Sequence, residues 1–316
     1  MLKNDIGSAA AILGQAKRVV ALTGAGISAE SGVPTFRGEN GLWRQFRAED
    51  LATPEAFARD PKLVWEWYDW RRGIITGVKP NPGHITLAAW EKRFPEFALI
   101  TQNVDGLHAR AGSANLAELH GNIWKVRCTK DGTVSDDHSV PLKEIPPRCP
   151  DCGALLRPHI VWFGESLDPD VLGRAFSLSG TCEVMLVIGT SALVHPAASL
   201  PYRAAASGAK IIEINPTPTP LTGEADISLQ GKAGEILPEI DRILFPPHPP
   251  LENGGEGYLP LERGGDKHAP LDKRGEKQSP LKKGERSTSH FKRGGEKHFS
   301  LGKGHPPSIR GKGGIS

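Results

Sequence analysis

Gln102, Asn103, Asp105 and His120 are the residues of this chain whose types and spacing could carry out a reaction. An amide and a carboxylate can bind and orient a polar substrate, and an imidazole with a pKa near ~6.5 can move a proton at neutral pH. The short apolar run Phe97 to Ile100 reads as a strand that delivers the first three at its carboxyl end, where open α/β sheets bind ligands. His120 follows about 15 residues after Asp105, between Leu119 and Gly121. The same residues admit a plainer reading, in which Asn103 and Asp105 cap the next helix and His120 is a hydrogen-bonded core histidine. The elements around them have to decide.

Those elements alternate. A helix over residues 7–17 precedes a buried strand, Arg18 to Leu22, which runs directly into Thr23-Gly24-Ala25-Gly26-Ile27-Ser28. A strand, small residues and a helix start allow backbone N–H groups to approach a phosphate, and also make a tight turn that needs glycine for its own sake. Val184 to Ile188 is another buried strand and ends in Gly189-Thr190-Ser191; Lys210 to Ile214 is a further one and ends in Asn215; residues 226–229 read as the last. Helical segments at 168–178, 196–207 and 233–244 fall between or after them. This order predicts an α/β fold with a Rossmann-like parallel sheet, helices on both faces, and ligand groups at the strand ends.

Two further groups stand outside that frame. Residues 54–76 read as one helix with an aromatic stripe, Trp65, Trp67, Tyr68 and Trp70, followed by Arg71 and Arg72. The stripe suits a core, yet Tyr68 and Arg71 stand three apart and share a helix face, where a guanidinium and a phenol together could hold a small carboxylate. A loop carrying Phe36, Arg37 and Trp43 lies beside the glycine turn in sequence and could fold over a bound dinucleotide. Further on, Cys149-Pro-Asp-Cys152-Gly is half of a zinc ribbon, but the other half offers Cys128 alone, with Asp131 where a fourth thiolate would stand. Asp131 or His138 is left to complete a metal site, or the thiols are small hydrophobes in a reducing compartment. Arg157 to Glu165 is an extended run able to pair with a peptide strand.

Charge divides the chain. Of 39 Lys+Arg and 36 Asp+Glu, 14 and 8 fall in residues 246–316, a net of +6, which leaves the preceding 245 residues with 25 and 28, a net of -3. That mildly acidic body gives no reason to expect nucleic acid as a substrate. The basic segment repeats Pro-Leu at 250–251, 260–261, 270–271 and 280–281, has little to bury, and reads as a disordered tail without assigned function. No run is apolar enough for a membrane span or a cleaved signal, and four cysteines with one close pair suit a reducing cell interior, so a cytoplasmic monomer is expected.

In order, GAGISAESGVPTFRG, TQNVDGLH, LHGN, CPDCG, VWFGE, GTS and EIN resemble the sirtuins, NAD-dependent protein lysine deacylases, over residues 8–245. The resemblance implies a catalytic domain over residues 1–245, with small-domain inserts near 33–80 and 122–160 forming a zinc-ribbon and helical part. It implies NAD as cofactor, held by Gly24, Ala25, Gly26, Ser28, Phe36, Arg37, Trp43, Gln102, Asn103, Asp105, Gly189, Thr190, Ser191, Asn215 and Ala233. His120 would be the general base, deprotonating a ribose hydroxyl after the acyl oxygen has displaced nicotinamide. Val161, Trp162, Phe163 and Gly164 would pair with the backbone of an acylated-lysine protein, and Cys128, Cys149 and Cys152 would hold zinc. DLATPEAF, with Ala52, and the Tyr68-x-x-Arg71 spacing resemble the branch that removes succinyl and malonyl groups. Plain deacetylation, mono-ADP-ribosyl transfer and a silent NAD sensor are the rival readings. The last has no use for a base.

Overall fold

The computed structural model describes residues 2–36, 42 and 47–246. Arg37, Trp43 and the basic repeat therefore lie outside the described residues. The elements are helices α1 (Leu2–Gln15), α2 (Ala25–Ala29), α3 (Ala48–Leu51), α4 (Pro54–Arg59), α5 (Pro61–Thr76), α6 (Pro82–Trp90), α7 (Leu107–Ala111), α8 (Pro169–Thr181), α9 (Leu200–Ala206) and α10 (Ala233–Leu244). The strands are β1 (Arg18–Thr23), β2 (Glu96–Thr101), β3 (Leu116–Glu118), β4 (Gly121–Cys128), β5 (Val134–Asp136), β6 (Leu156–Ile160), β7 (Val184–Ile188), β8 (Lys210–Asn215) and β9 (Ile227–Gln230).

Six strands form one parallel sheet in the order β3-β2-β1-β7-β8-β9. Both faces are covered, so the strands are apolar throughout, but alternate residues serve different cores. Val19, Ala21, Phe97, Leu99 and Leu186 pack under α1, α6 and α10, through Leu13, Leu87, Trp90 and Ile240. Val20, Leu22, Ala98, Ile100 and Met185 pack on the other side under α8 and α9, through Ala175, Leu200 and Ala204. The chain leaves β1 for β2 on one side and reaches β7 on the other, which opens a crevice at the carboxyl end of β1, the usual ligand site of such sheets.

A third core, built from residues between Val33 and Trp162, joins α3, α4 and α5 to the antiparallel sheet β5-β4-β6. Trp65 Nε1 donates to the Leu156 carbonyl at 2.8 Å, and the buried Arg72 donates to the Ile123 carbonyl at 3.0 Å, so α5 is fastened to this sheet at two points. Strands β4 and β5 were not read from the sequence.

The helix expected over 54–76 is two helices. Asp60 precedes Pro61, and a residue before proline is pushed out of the α region; its φ of -148° and ψ of 81° break the run. The same residue starts the next helix, its carboxylate accepting from Leu63 N at 2.9 Å. Residues 196–207 begin as a single 3₁₀ turn, Ala197–Ser199, before α9. No helix among the described residues is long and apolar enough to cross a membrane.

Candidate active site

The crevice at the ends of β1, β2, β7 and β8 holds a cavity of about 810 Å³ that continues to the third core. Its floor is two interlocked glycine turns. Gly24 N donates to the Ile188 carbonyl at 2.9 Å and Gly26 N to the Gly189 carbonyl at 2.8 Å. A Cβ on Gly24 would lie 2.7 Å from Thr190 Cβ, and one on Gly189, whose φ is +59°, would lie 2.5 Å from Ile27 N. These glycines are therefore required by the contact between the turns, and Ala25 N is the amide of the first turn left without an acceptor among the described residues.

Gln102 and Asn103 project from the end of β2. Gln102 Nε2 donates to Thr190 Oγ1 at 2.9 Å; Asn103 Nδ2 donates to the Gly24 carbonyl at 2.9 Å and to Ser28 Oγ at 3.1 Å. Ser28 also stands close enough to Asp105 to help hold its carboxyl pKa down, and the Asp105 carboxylate accepts from Leu107 N at 2.8 Å and so begins α7. Burial pushes the Asp105 carboxyl up, against the pull of these donors and of Arg71. Asp105 and Ser28 are buried behind the cavity wall, and Ala233 opens α10 beside Gly83, also away from the cavity.

His120 lines the cavity where the third core begins. Its Nδ1 lies 3.0 Å from the Gln102 backbone carbonyl, an acceptor only, so Nδ1 carries the proton and Nε2 is the basic nitrogen. Burial lowers the imidazole pKa and the Gln102 carbonyl partly opposes it, which keeps the ring neutral and able to accept a proton.

Tyr68, Arg71 and Ala52 meet at the far end of the cavity. Arg71 is buried, with its guanidinium 4.6 Å above the Phe36 ring and 5.0 Å from the Trp67 ring. It forms no hydrogen bond or ion pair among the described residues, whereas its neighbour Arg72 pairs with Asp137 at 3.2 Å. Tyr68 Oη accepts from Trp162 Nε1 at 2.9 Å, and burial pushes its pKa up to about 12. Along residues 161–164, Val161 N donates to the His120 carbonyl and Phe163 N to the Ala52 carbonyl, both at 3.0 Å, which ties this run to the base and to the pocket. Trp162 turns inward and is 3% exposed, Phe163 turns outward and is 46% exposed, and Gly164 takes a φ of +86°.

Asn215, Thr190 and Ser191 complete the opposite end, joined by residues the sequence reading passed over: Leu193, His195 and the loop Thr217–Pro220. All of these follow strands β7 and β8, so the strand-end rule that drew attention to Asn215 contained the signal for them.

Away from the cavity, the sulfurs of Cys128, Cys149 and Cys152 lie within 4.8 Å of one another, with Cys128 and Cys152 3.5 Å apart. The turns that carry them match: Gly132 N donates to the Cys128 carbonyl at 3.0 Å and Gly153 N to the Cys149 carbonyl at 2.9 Å, with glycine φ values of +79° and +71°. Asp131 thus occupies in the first turn the place of Cys152 in the second. His138 is elsewhere, stacked on Trp124 at 5.6 Å. Three thiols on two such turns fit three corners of a tetrahedral zinc ion, while the Asp131 carboxylate stays outside the cluster and accepts from Thr133 N at 2.9 Å.

Residues 24–196 match the Sir2 family. The chain belongs to that family. It is 58% identical over 222 residues to an NAD-dependent protein deacylase of Aquifex aeolicus, covering 70% of this chain and 93% of the relative. It is 54% identical over 240 residues to one of Pyrococcus furiosus, covering 74% and 96%. A crystal structure of a Sir2 homologue–NAD complex superimposes with a TM-score of 0.72 at 50% identity, covering 75% of this chain and 93% of that one. The six-stranded parallel sheet and the cavity at its strand ends are thus those of a Sir2 enzyme.

Proposed function

We propose that this Sir2-family chain, an NAD-dependent protein deacylase like its relatives, prefers lysine acyl groups that end in a carboxylate, succinyl and malonyl among them. The observation that carries the preference is Arg71: a buried guanidinium facing the cavity without a partner among the described residues, beside the Tyr68 hydroxyl and the small Ala52. Burial depresses its pKa, the signature of a cation held out of water, and an incoming carboxylate would relieve that cost. An acetyl group offers no such partner.

The cavity fits a dinucleotide in volume and in its convergent polar ends, Ala25 N, Gln102 and Asn103 on one side and Thr190, Ser191 and Asn215 on the other. NAD, when bound, supplies the ribosyl carbon that takes the acyl oxygen and the hydroxyl that takes the acyl group. Asn103, held by Ser28 and the Gly24 carbonyl, orients the nicotinamide end, with the Asp105 carboxylate buried behind it. His120 Nε2 withdraws the ribose proton, since Nδ1 is committed to Gln102. The outward edge of residues 161–164, with Phe163 at its rim, receives the substrate peptide. Cys128, Cys149 and Cys152 would hold a structural zinc ion, with the fourth position open at the turn that carries Asp131.

The test is turnover of paired acetyl-lysine and succinyl-lysine peptides with and without NAD, following peptide mass and nicotinamide release. NAD-dependent loss of succinyl ahead of acetyl supports the reading. Preference for acetyl removes the carboxylate pocket and leaves a deacetylase.

A further inference from the structure

The Tyr68 hydroxyl can accept two hydrogen bonds and donate one, so its neighbours decide which way its proton faces. Indole N–H only donates, and Trp162 Nε1 sits 2.9 Å from Tyr68 Oη. That contact uses a lone pair on the oxygen. The phenol proton finds no acceptor among the described residues, and Tyr68 lines the cavity. Tyr68 is therefore left as a donor toward whatever enters beside Arg71. With the phenol pKa raised to about 12, the proton stays on the oxygen throughout the neutral range.

Trp162 is itself held by a charge pair of the buried Arg157 and the half-buried Glu165. Glu165 grips Arg157 with two hydrogen bonds, at 2.6 and 2.9 Å, and also accepts from Trp162 N at 2.8 Å. Arg157 reaches the Ile160 carbonyl at 3.0 Å, and its guanidinium lies 3.5 Å from the centre of the Trp162 ring. Phe57 packs against the same indole at 5.3 Å. A backbone clamp, a stacked cation and an aromatic neighbour leave the indole one orientation, the one that aims Nε1 at Tyr68.

We propose that Trp162 is a positioning residue for acyl selectivity: by donating to Tyr68 Oη it turns the phenol into a fixed one-way donor for an acyl-chain carboxylate, with the Arg157–Glu165 pair holding the indole in place. This deepens the carboxylate-pocket reading and rests on it. It also puts selectivity partly on the segment that receives the peptide, since Trp162 lies between Val161 and Phe163, whose N–H groups are bound to His120 and Ala52.

The experiment is a double-mutant cycle in the full chain, with wild type, Trp162→Phe, Tyr68→Phe and the double variant assayed on succinyl- and acetyl-lysine peptides. Phenylalanine keeps an aromatic ring in the clamp and removes the N–H together with part of the indole's volume, and the Tyr68→Phe background separates the two effects. Losing one well-placed hydrogen bond to a charged acceptor corresponds to roughly tenfold, so Trp162→Phe is expected to lower the succinyl-to-acetyl ratio of kcat/KM by about tenfold, mainly through KM for succinyl. In the Tyr68→Phe background the same change is expected to lower the ratio less than twofold, because no hydroxyl remains to be oriented. An unchanged ratio in Trp162→Phe, or an equal fall in both backgrounds, overturns the inference while leaving the pocket standing. If wild type shows no preference for succinyl and Arg71→Met reduces both substrates alike, the pocket itself fails and the inference falls with it.

Discussion

The Nδ1–H of His120 is committed to the Gln102 carbonyl, 3.0 Å away at the end of β2, so the strand that supplies the cavity's amide also sets the tautomer of the base. Burial lowers the imidazole pKa and this bond partly restores it. The working form is the neutral ring, so a lowered pKa extends activity toward acid. The acid limb of kcat/KM is expected to fall with a midpoint below ~6.5, the ordinary histidine value. A midpoint above that value would mean another group controls the limb. His120→Tyr is expected to abolish NAD-dependent turnover on every acyl group.

Arg71 and Arg72 are adjacent on α5 and both buried, yet they answer to different partners. Arg72 donates to the Ile123 carbonyl and pairs with Asp137, which is one-fifth exposed; Arg72→Met is expected to cost about 2–3 kcal/mol, because it strands a buried acceptor and half of an ion pair. Arg71 makes no hydrogen bond or ion pair among the described residues and feels the longer-range attraction of Asp105, so replacing this buried cation by an apolar chain relieves desolvation. Arg71→Met is expected to leave Tm equal or higher while lowering kcat/KM on succinyl-lysine far more than on acetyl-lysine. Thermal unfolding and paired-peptide kinetics check both. A large loss of stability in Arg71→Met would show that the guanidinium has a structural partner.

The contrast marks what the sequence could and could not disclose. Strands β1, β7 and β8, helix α10 and the strand-end positions of Gln102, Asn103 and Asn215 were legible, because a parallel sheet covered on both faces demands short apolar runs that end in small or polar residues. Tyr68 and Arg71 were legible as a pair from their spacing. The inward turn of Trp162 was not, since an extended run does not say which of its faces a neighbouring helix covers. Nor was the bond that holds Asn103, made to Ser28, a residue 75 positions away in the chain. Strands β4 and β5 escaped because they hold charged residues at half-buried or exposed positions, as in Lys125 and Arg127 of β4.

The two matched cysteine turns predict a metal site that one substitution can strengthen. With metal bound, chelation is expected to lower Tm, since the three thiols lie between elements of the third core and zinc cross-links them. Asp131→Cys converts the first turn into a copy of the second and is expected to slow metal loss to a chelator, whereas Asp131→Ala is expected to speed it. Cobalt substitution reads the ligands directly: the Asp131→Cys spectrum should move toward that of four thiolates. An unchanged spectrum would mean that the Asp131 position does not touch the metal.

His84 and His108 form the last titrating unit, their rings 4.7 Å apart and tilted by 52°. His84 accepts from Asn81 N at its Nδ1, and His108 Nε2 meets Thr23 Oγ1 at 2.9 Å. Burial lowers the His84 pKa to about 4, and burial together with the His84 charge lowers that of His108 well below its usual value. Both are therefore neutral in the folded state at pH values where the unfolded chain binds protons. Their contribution to stability is complete above ~6.5 and is lost as pH falls toward 4; for His84 it amounts to about 3 kcal/mol. Denaturation midpoints measured between pH 7 and pH 4 are expected to fall, and His84→Gln, which cannot charge, is expected to flatten the fall. An identical slope in the variant would assign the acid sensitivity to other groups.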